Sequence, residues 1–373
     1  MNYFKKYYSN TVAGSANRLS CDYTEGEVCT RVFYRLTEGG TFEYSLLFSN
    51  INDSTYDAGV EGYKNKVYGE WTIHSMRVAV CPRDLFPIPL GPDGVHVPLD
   101  CDRMGELVPV TFDGNTLKHV APGEFFSTDP VTLSAEKGEY LCVEITYEGS
   151  DVPAYDEWLI PVYVLRDGEW RLDKKVPVPG MIGAALKKKP RVAFIGDSIT
   201  CGCGTAPNAY ANWSALVSEM LGDAYAYHNL GIGYGRAEDF ASGGAWFYKA
   251  KHSDFAVLCF GVNDILQGRS EENIIADITS CVRRLKGAGV KVMLQTVPPF
   301  DYEEKYRGMW ERINDYIKNT LSREADAVLD NVPFLCADAD HPYATKYEGH
   351  PNPEGCRVWA EKLCTAMKVF LES

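Results

Sequence analysis

The sequence predicts two architectures in one chain. Residues 1–180 read as an all-β sandwich of jelly-roll type, and residues 181–373 as a three-layer α/β/α unit with a five-stranded parallel sheet. Three observations carry this. From about residue 20 to 170, apolar residues recur at every second position, with no helical stretch competing. From Arg191 onward, short apolar runs alternate with segments of helical period. Between the two regimes, 174–190 holds Pro177, Pro179, Gly180 and Gly183 and reads as a linker.

In the first half, Phe42, Tyr44, Leu46 and Phe48 fall on one face of a strand, as do Leu141, Val143 and Ile145. Further strands are expected at 28–36, 75–80, 107–112 and 159–165, with turns at Glu38-Gly-Gly40, Asp113-Gly-Asn115 and Arg166-Asp-Gly168. Two antiparallel sheets packed face to face use such a pattern. In the second half, strands are expected at 191–196, 225–230, 254–261, 290–297 and 326–332. Helices fall between them at about 208–221, 236–250, 271–287 and 303–324, with a last one at 353–371. Runs such as Phe255–Phe260 are apolar at every position, as strands covered on both faces require. Alternating strand and helix implies a parallel sheet of flavodoxin-like order. Asn352 is placed to cap the last helix and Pro353 to open it.

Composition excludes some functions. Lys plus Arg number 37 against 51 Asp plus Glu, a formal charge of −14 that repels nucleic acid and anionic membranes. No partner of either kind is expected. The first residues lack the apolar segment of a signal peptide, and no run is long enough to span a bilayer. Twelve cysteines are too sparse for a disulfide scaffold, and Cys142 and Cys259 lie inside apolar strands. Free thiols in the cytoplasm are the expectation.

The chemistry concentrates at strand ends. Ser198 follows the first parallel strand at a Gly196 turn, where a hydroxyl is exposed at the sheet rim. The third strand ends in Gly261-Val-Asn-Asp264, across the crevice where strand order reverses. Beside them, Asn229-Leu-Gly-Ile-Gly-Tyr-Gly235 lets backbone amides approach a ligand. A serine nucleophile needs a base. His74, His96 and His119 lie in the β half, His228 in a strand and His252 at a helix end. His341 and His350 precede the last helix, and His350, held by Pro351 and Asn352, is the stronger candidate.

These blocks resemble the SGNH, or GDSL-type, serine hydrolases. Gly196-Asp-Ser-Ile-Thr200 is similar to the family's nucleophile block, Asn229-Leu-Gly-Ile-Gly233 to its glycine block, Gly261-Val-Asn-Asp264 to its asparagine block and His350-Pro-Asn-x-x-Gly355 to its histidine block. The resemblance covers 191–373. It implies a carboxylic ester hydrolase with Ser198 as nucleophile and His350 as base. The amides of Ser198 and Gly231 and the side chain of Asn263 would hold the oxyanion. It implies no cofactor and no metal. The β half more loosely resembles N-terminal sandwich domains of some bacterial members, carbohydrate esterases included, through Phe48-Ser-Asn50 and Phe126-Ser-Thr-Asp-Pro130. The implied substrate is a short-chain acyl ester, acetyl among them, on a carbohydrate. A lipase or acylhydrolase acting on another ester, a carbohydrate-binding protein with an inactive hydrolase half, and a phosphate or flavin binder are the rivals. The last lacks a P-loop ending and dinucleotide spacing.

The family usually places an aspartate three residues before the histidine, and here that residue is Tyr347. Three alternatives stay open: Glu348, which stands first, Asp338 in Asp-Ala-Asp-His341, or a Ser–His dyad with a backbone carbonyl. Cys201-Gly-Cys203 reads as two unliganded thiols, and Trp246, Phe247 and Tyr248 as packing residues.

Overall fold

The computed structural model describes residues 2–13, 19–54, 56–57, 60–61, 65–90, 97–156, 159–173 and 175–372. In the first half two antiparallel sheets face each other. The smaller runs Tyr8–Ser9, Met181–Ala184, Gly40–Ser49 and Val131–Ala135 in spatial order, with Phe125–Ser127 also on Gly40–Ser49. The larger runs Glu169–Leu172, Val162–Arg166, Leu19–Arg35, Tyr140–Asp156, Trp71–Cys81 and Val108–Val110. Alternation does what it predicts: Tyr44, Leu46 and Phe48 share the inner core with Val32, Leu141, Val143 and Ile145. Leu47, on the opposite face, is buried too, under Phe4, Tyr7 and Met181.

The segment expected as a linker is instead stitched into both sheets. Lys175–Val176 pairs with Tyr155–Asp156, and Met181–Ala184 lies between Tyr8–Ser9 and Gly40–Ser49. Its apolar residues Val176, Val178, Met181, Ile182 and Ala184 are all buried, which is what draws the segment in. The two halves therefore share one apolar core, running from Val32 and Tyr34 through Tyr155 and Leu159 to Phe194 and Trp213.

The second half has five parallel strands in the order Ala226–Asn229, Arg191–Gly196, Phe255–Cys259, Lys291–Gln295 and Ala327–Leu329. The chain crosses from one side of Arg191–Gly196 to the other, so its C-terminal end is the switch point. Glu271–Gly287, Glu304–Asn319 and Pro353–Glu372 form the long helices, close to their expected spans. The helix expected over 236–250 breaks into Ala237–Ala241 and Gly244–Ala250. Gly243 and Gly244 sit at φ 87° and 80°, and a side chain at Gly244 would collide with Asn65 of the β half. Asn352 accepts from the Gly355 amide at 3.0 Å, capping the last helix.

Candidate active site

The strand Arg191–Gly196 ends where only glycine fits. A Cβ at Gly196 would lie 2.2 Å from Thr200 Oγ1 and 2.4 Å from the Cys259 carbonyl. Asp197 then caps the short helix Ser198–Cys201 by accepting from the Ile199 amide at 2.9 Å. This is the turn-holding role its position suggests. Burial pushes its carboxyl up to about 7.

Ser198 Oγ is hydrogen-bonded to His350 Nε2 at 2.8 Å, across 152 positions of sequence. His350 is held from two sides. Its ring meets Phe300 edge-on, centroids 5.5 Å apart, and its backbone rests on Gly204, where a Cβ would lie 2.7 Å from the His350 carbonyl. Burial lowers the imidazole pKa below its ordinary value, favouring the neutral form that accepts a proton.

Glu348 does not complete a triad. It stands exposed at φ 72°, and its only hydrogen bond among the described residues is the one its carbonyl accepts from Thr345 Oγ1. Asp338 pairs with His341 at 2.9 Å, and both are exposed on the surface. Tyr347, at the family's acid position, is buried in the core, its Cβ packed on Gly355. Among the described residues no carboxylate reaches His350.

Gly231 is also displaced from its expected role. Its amide donates to Asn229 Oδ1 at 2.8 Å. Its Cα packs so closely on Thr200 and Cys201 that a Cβ would lie 2.3 Å from the Cys201 amide. The loop residues that reach the site are Gly233 and Tyr234. Asn263 is on the site. One of its side-chain N–H groups donates to the Gly235 carbonyl at 3.1 Å, and the residue lines the same cavity as Ser198. Its neighbour Asp264 accepts from the Ala237 amide at 3.1 Å, tying the two loops together, and burial pushes its carboxyl up to about 7.

Ser198, His350, Asn263 and Gly233 share a cavity of about 470 Å³ with Tyr155, Cys201, Cys203, Tyr234, Leu266 and Phe300. A larger cavity of about 640 Å³, between Tyr23, Glu70, Trp71 and His119, shares no residue with it. Sequence reasoning missed Tyr155 and Phe300, which sit in a strand and a loop with no motif to mark them; Gly204 was visible only as one of several small residues. The other histidines are elsewhere. His228 meets the Gly180 carbonyl and His252 stacks on Phe4, each pushed down to about 4 by burial. His74 and His119 lie on strands of the larger β-sheet, the latter against Thr72, and His96 lies outside the described residues. Cys201 meets the Tyr155 hydroxyl, and no cluster of metal-ligating side chains occurs among the described residues. Trp246 is buried, donating to the Leu230 carbonyl. No described helix is long and apolar enough to cross a membrane.

A parallel α/β sheet with a serine–histidine pair at its switch point is an arrangement compatible with acyl transfer. Residues 194–358 match the model of the GDSL-like Lipase/Acylhydrolase family. That match falls on the α/β half of the chain, behind the β-sandwich. Comparison with curated proteins gives no match. Among solved structures, a member of the lipolytic protein G-D-S-L family from Veillonella parvula is 19% identical, over 49% of this chain and 99% of its own, with a TM-score of 0.39. The psychrotrophic esterase EstA from Pseudoalteromonas sp. is 14% identical over 50% and 100%, TM-score 0.39. The acetyl xylan esterase AlAXEase is 21% identical over 47% and 98%, TM-score 0.39.

Proposed function

We propose that this chain is a serine esterase hydrolysing short-chain acyl esters through a Ser198–His350 dyad. The observation that carries the reading is the 2.8 Å contact between Ser198 Oγ and His350 Nε2, in a cavity that also holds Asn263. The half-buried imidazole, in its neutral form, takes the Ser198 proton as Oγ attacks the ester carbonyl. The oxyanion that forms is held by the Ser198 amide, the Asn263 side chain and an amide of the Gly233–Tyr234 turn, donors whose value lies in charge present only in the transition state. The imidazolium returns its proton to the departing alcohol. Water, deprotonated by the same ring, then releases the acid.

The alcohol is a carbohydrate in this reading, on the likeness of the β half to carbohydrate esterases. Ser198→Ala abolishes hydrolysis of p-nitrophenyl acetate, and a fluorophosphonate labels Ser198 in the wild type alone. Turnover surviving in Ser198→Ala sinks the assignment, and a wild type that never labels marks an inactive hydrolase half. Acetate released from an acetylated oligosaccharide faster than butyrate from tributyrin supports the carbohydrate; the reverse order points to a lipase.

A further inference from the structure

We propose that Tyr155, a residue of the β-sandwich, forms the closed end of the catalytic cavity and sets the length of acyl chain admitted. The inference rests on Ser198 being the nucleophile. Tyr155 stands one residue before the end of the long strand Tyr140–Asp156, yet it lines the same cavity as Ser198 and His350. It is 1% exposed, and its hydroxyl meets Cys201 Sγ at 2.5 Å, three residues after the nucleophile on the same short helix.

The wall it forms is rigid. Pairing with Val176 fixes the backbone of Tyr155. Just beyond, Leu159 packs on Gly202, and its carbonyl accepts from the Asn208 amide at 2.7 Å. The loop that follows the Ser198 helix is therefore clamped onto the β half, which also bonds it through Tyr140 and Asn208.

Two other lining residues are exposed to solvent, Tyr234 at 41% and Leu266 at 38%, so the cavity opens on their side. This asymmetry assigns the substrate's two parts. The alcohol must leave before water enters, whereas the acyl group stays bonded to Ser198 between the two steps. The open end suits the group that departs, and the buried end suits the one that remains. With Tyr155, Cys201 and Val262 as its walls, that end takes a short aliphatic chain.

The test is kcat/KM over p-nitrophenyl esters from acetate to octanoate, normalised to the fraction of Ser198 labelled by a fluorophosphonate. Tyr155→Ala raises the octanoate-to-acetate ratio by about 10-fold or more, the selectivity a few methylenes exert in an apolar pocket. Tyr155→Phe keeps the ring and the wild-type profile, and Tyr155→Trp shifts preference towards acetate. If Tyr155→Ala does not fold, Tyr155→Leu is read in its place. An unchanged ratio in variants that still label overturns the inference. So does a change confined to a series of acetates with different alcohols. Wild-type turnover that survives Ser198→Ala would instead bring down the reading beneath it.

Discussion

Glu348→Gly separates a dyad from a triad in one substitution. Glu348 is exposed at φ 72°, in the left-handed region. An L-residue there costs about 1–2 kcal/mol, whereas glycine's greater freedom in the unfolded chain costs about 0.5–1 kcal/mol. The substitution therefore stabilises the fold by up to about 1.5 kcal/mol, a rise in Tm on the order of 3 °C at most. Among the described residues no hydrogen bond joins the carboxylate to the imidazole, so kcat/KM on p-nitrophenyl acetate stays within about two-fold of wild type. An acid that oriented the base would cost about 10⁴ on removal, the loss seen in a serine protease triad. The assay is steady-state kinetics beside differential scanning calorimetry on the same preparation. A fall of about 10²-fold or more, with Tm unchanged or higher, refutes the dyad and restores Glu348 as the third member.

Other outcomes follow from the same geometry. Because burial lowers the His350 pKa and the base must be neutral, kcat/KM falls on the acid side with a midpoint below about 6.5, the ordinary histidine value; a midpoint above 7 would reveal a carboxylate holding the imidazolium. Asn263→Ala lowers kcat by about 10²–10³ with little change in KM, and an unchanged kcat removes Asn263 from the mechanism. Lys249 and Asp53 form a 2.6 Å ion pair with side chains 1% and 0% exposed, joining the halves. Lys249→Met removes the cation that faces the buried Asp53 carboxylate and destabilises by up to about 3–5 kcal/mol in chemical denaturation, and the double variant with Asp53→Asn recovers much of it. Asp197 and Asp264 are each pushed up to about 7 from 3.8, so the folded state binds protons more tightly than the unfolded. Their stabilisation is full below 3.8 and lost as pH rises through about 7, and Asp264→Asn flattens the decline in Tm between those limits.

Much of this molecule is legible in its sequence because the signals are local. All five parallel strands fall within a few residues of their expected spans, since a run such as Phe255–Cys259 has no other way to bury itself. Ser198, His350 and Asn263 were visible because tight turns and helix starts mark strand ends. The misses share a cause. The 236–250 helix breaks where Asn65 fills the space a Gly244 side chain would need. The 174–190 segment looked like a linker because its prolines and glycines are visible and its partner strands are not. Gly231 and Glu348 had suitable spacing, but one amide is taken by Asn229, and Glu348 stands exposed with no hydrogen bond to His350 among the described residues.

The chain's residue order alone determined the two grammars, the parallel sheet and the identity of a hydroxyl, an imidazole and an amide at its rim, because period and turn chemistry act over a few residues. Only tertiary packing decided that His350 would meet Ser198 with no carboxylate among the described residues bonded to its ring, and that a tyrosine of the sandwich would line the cavity beside them. Those outcomes depend on which groups from distant segments arrive in the same space first, and steric exclusion between them is not written in any one segment.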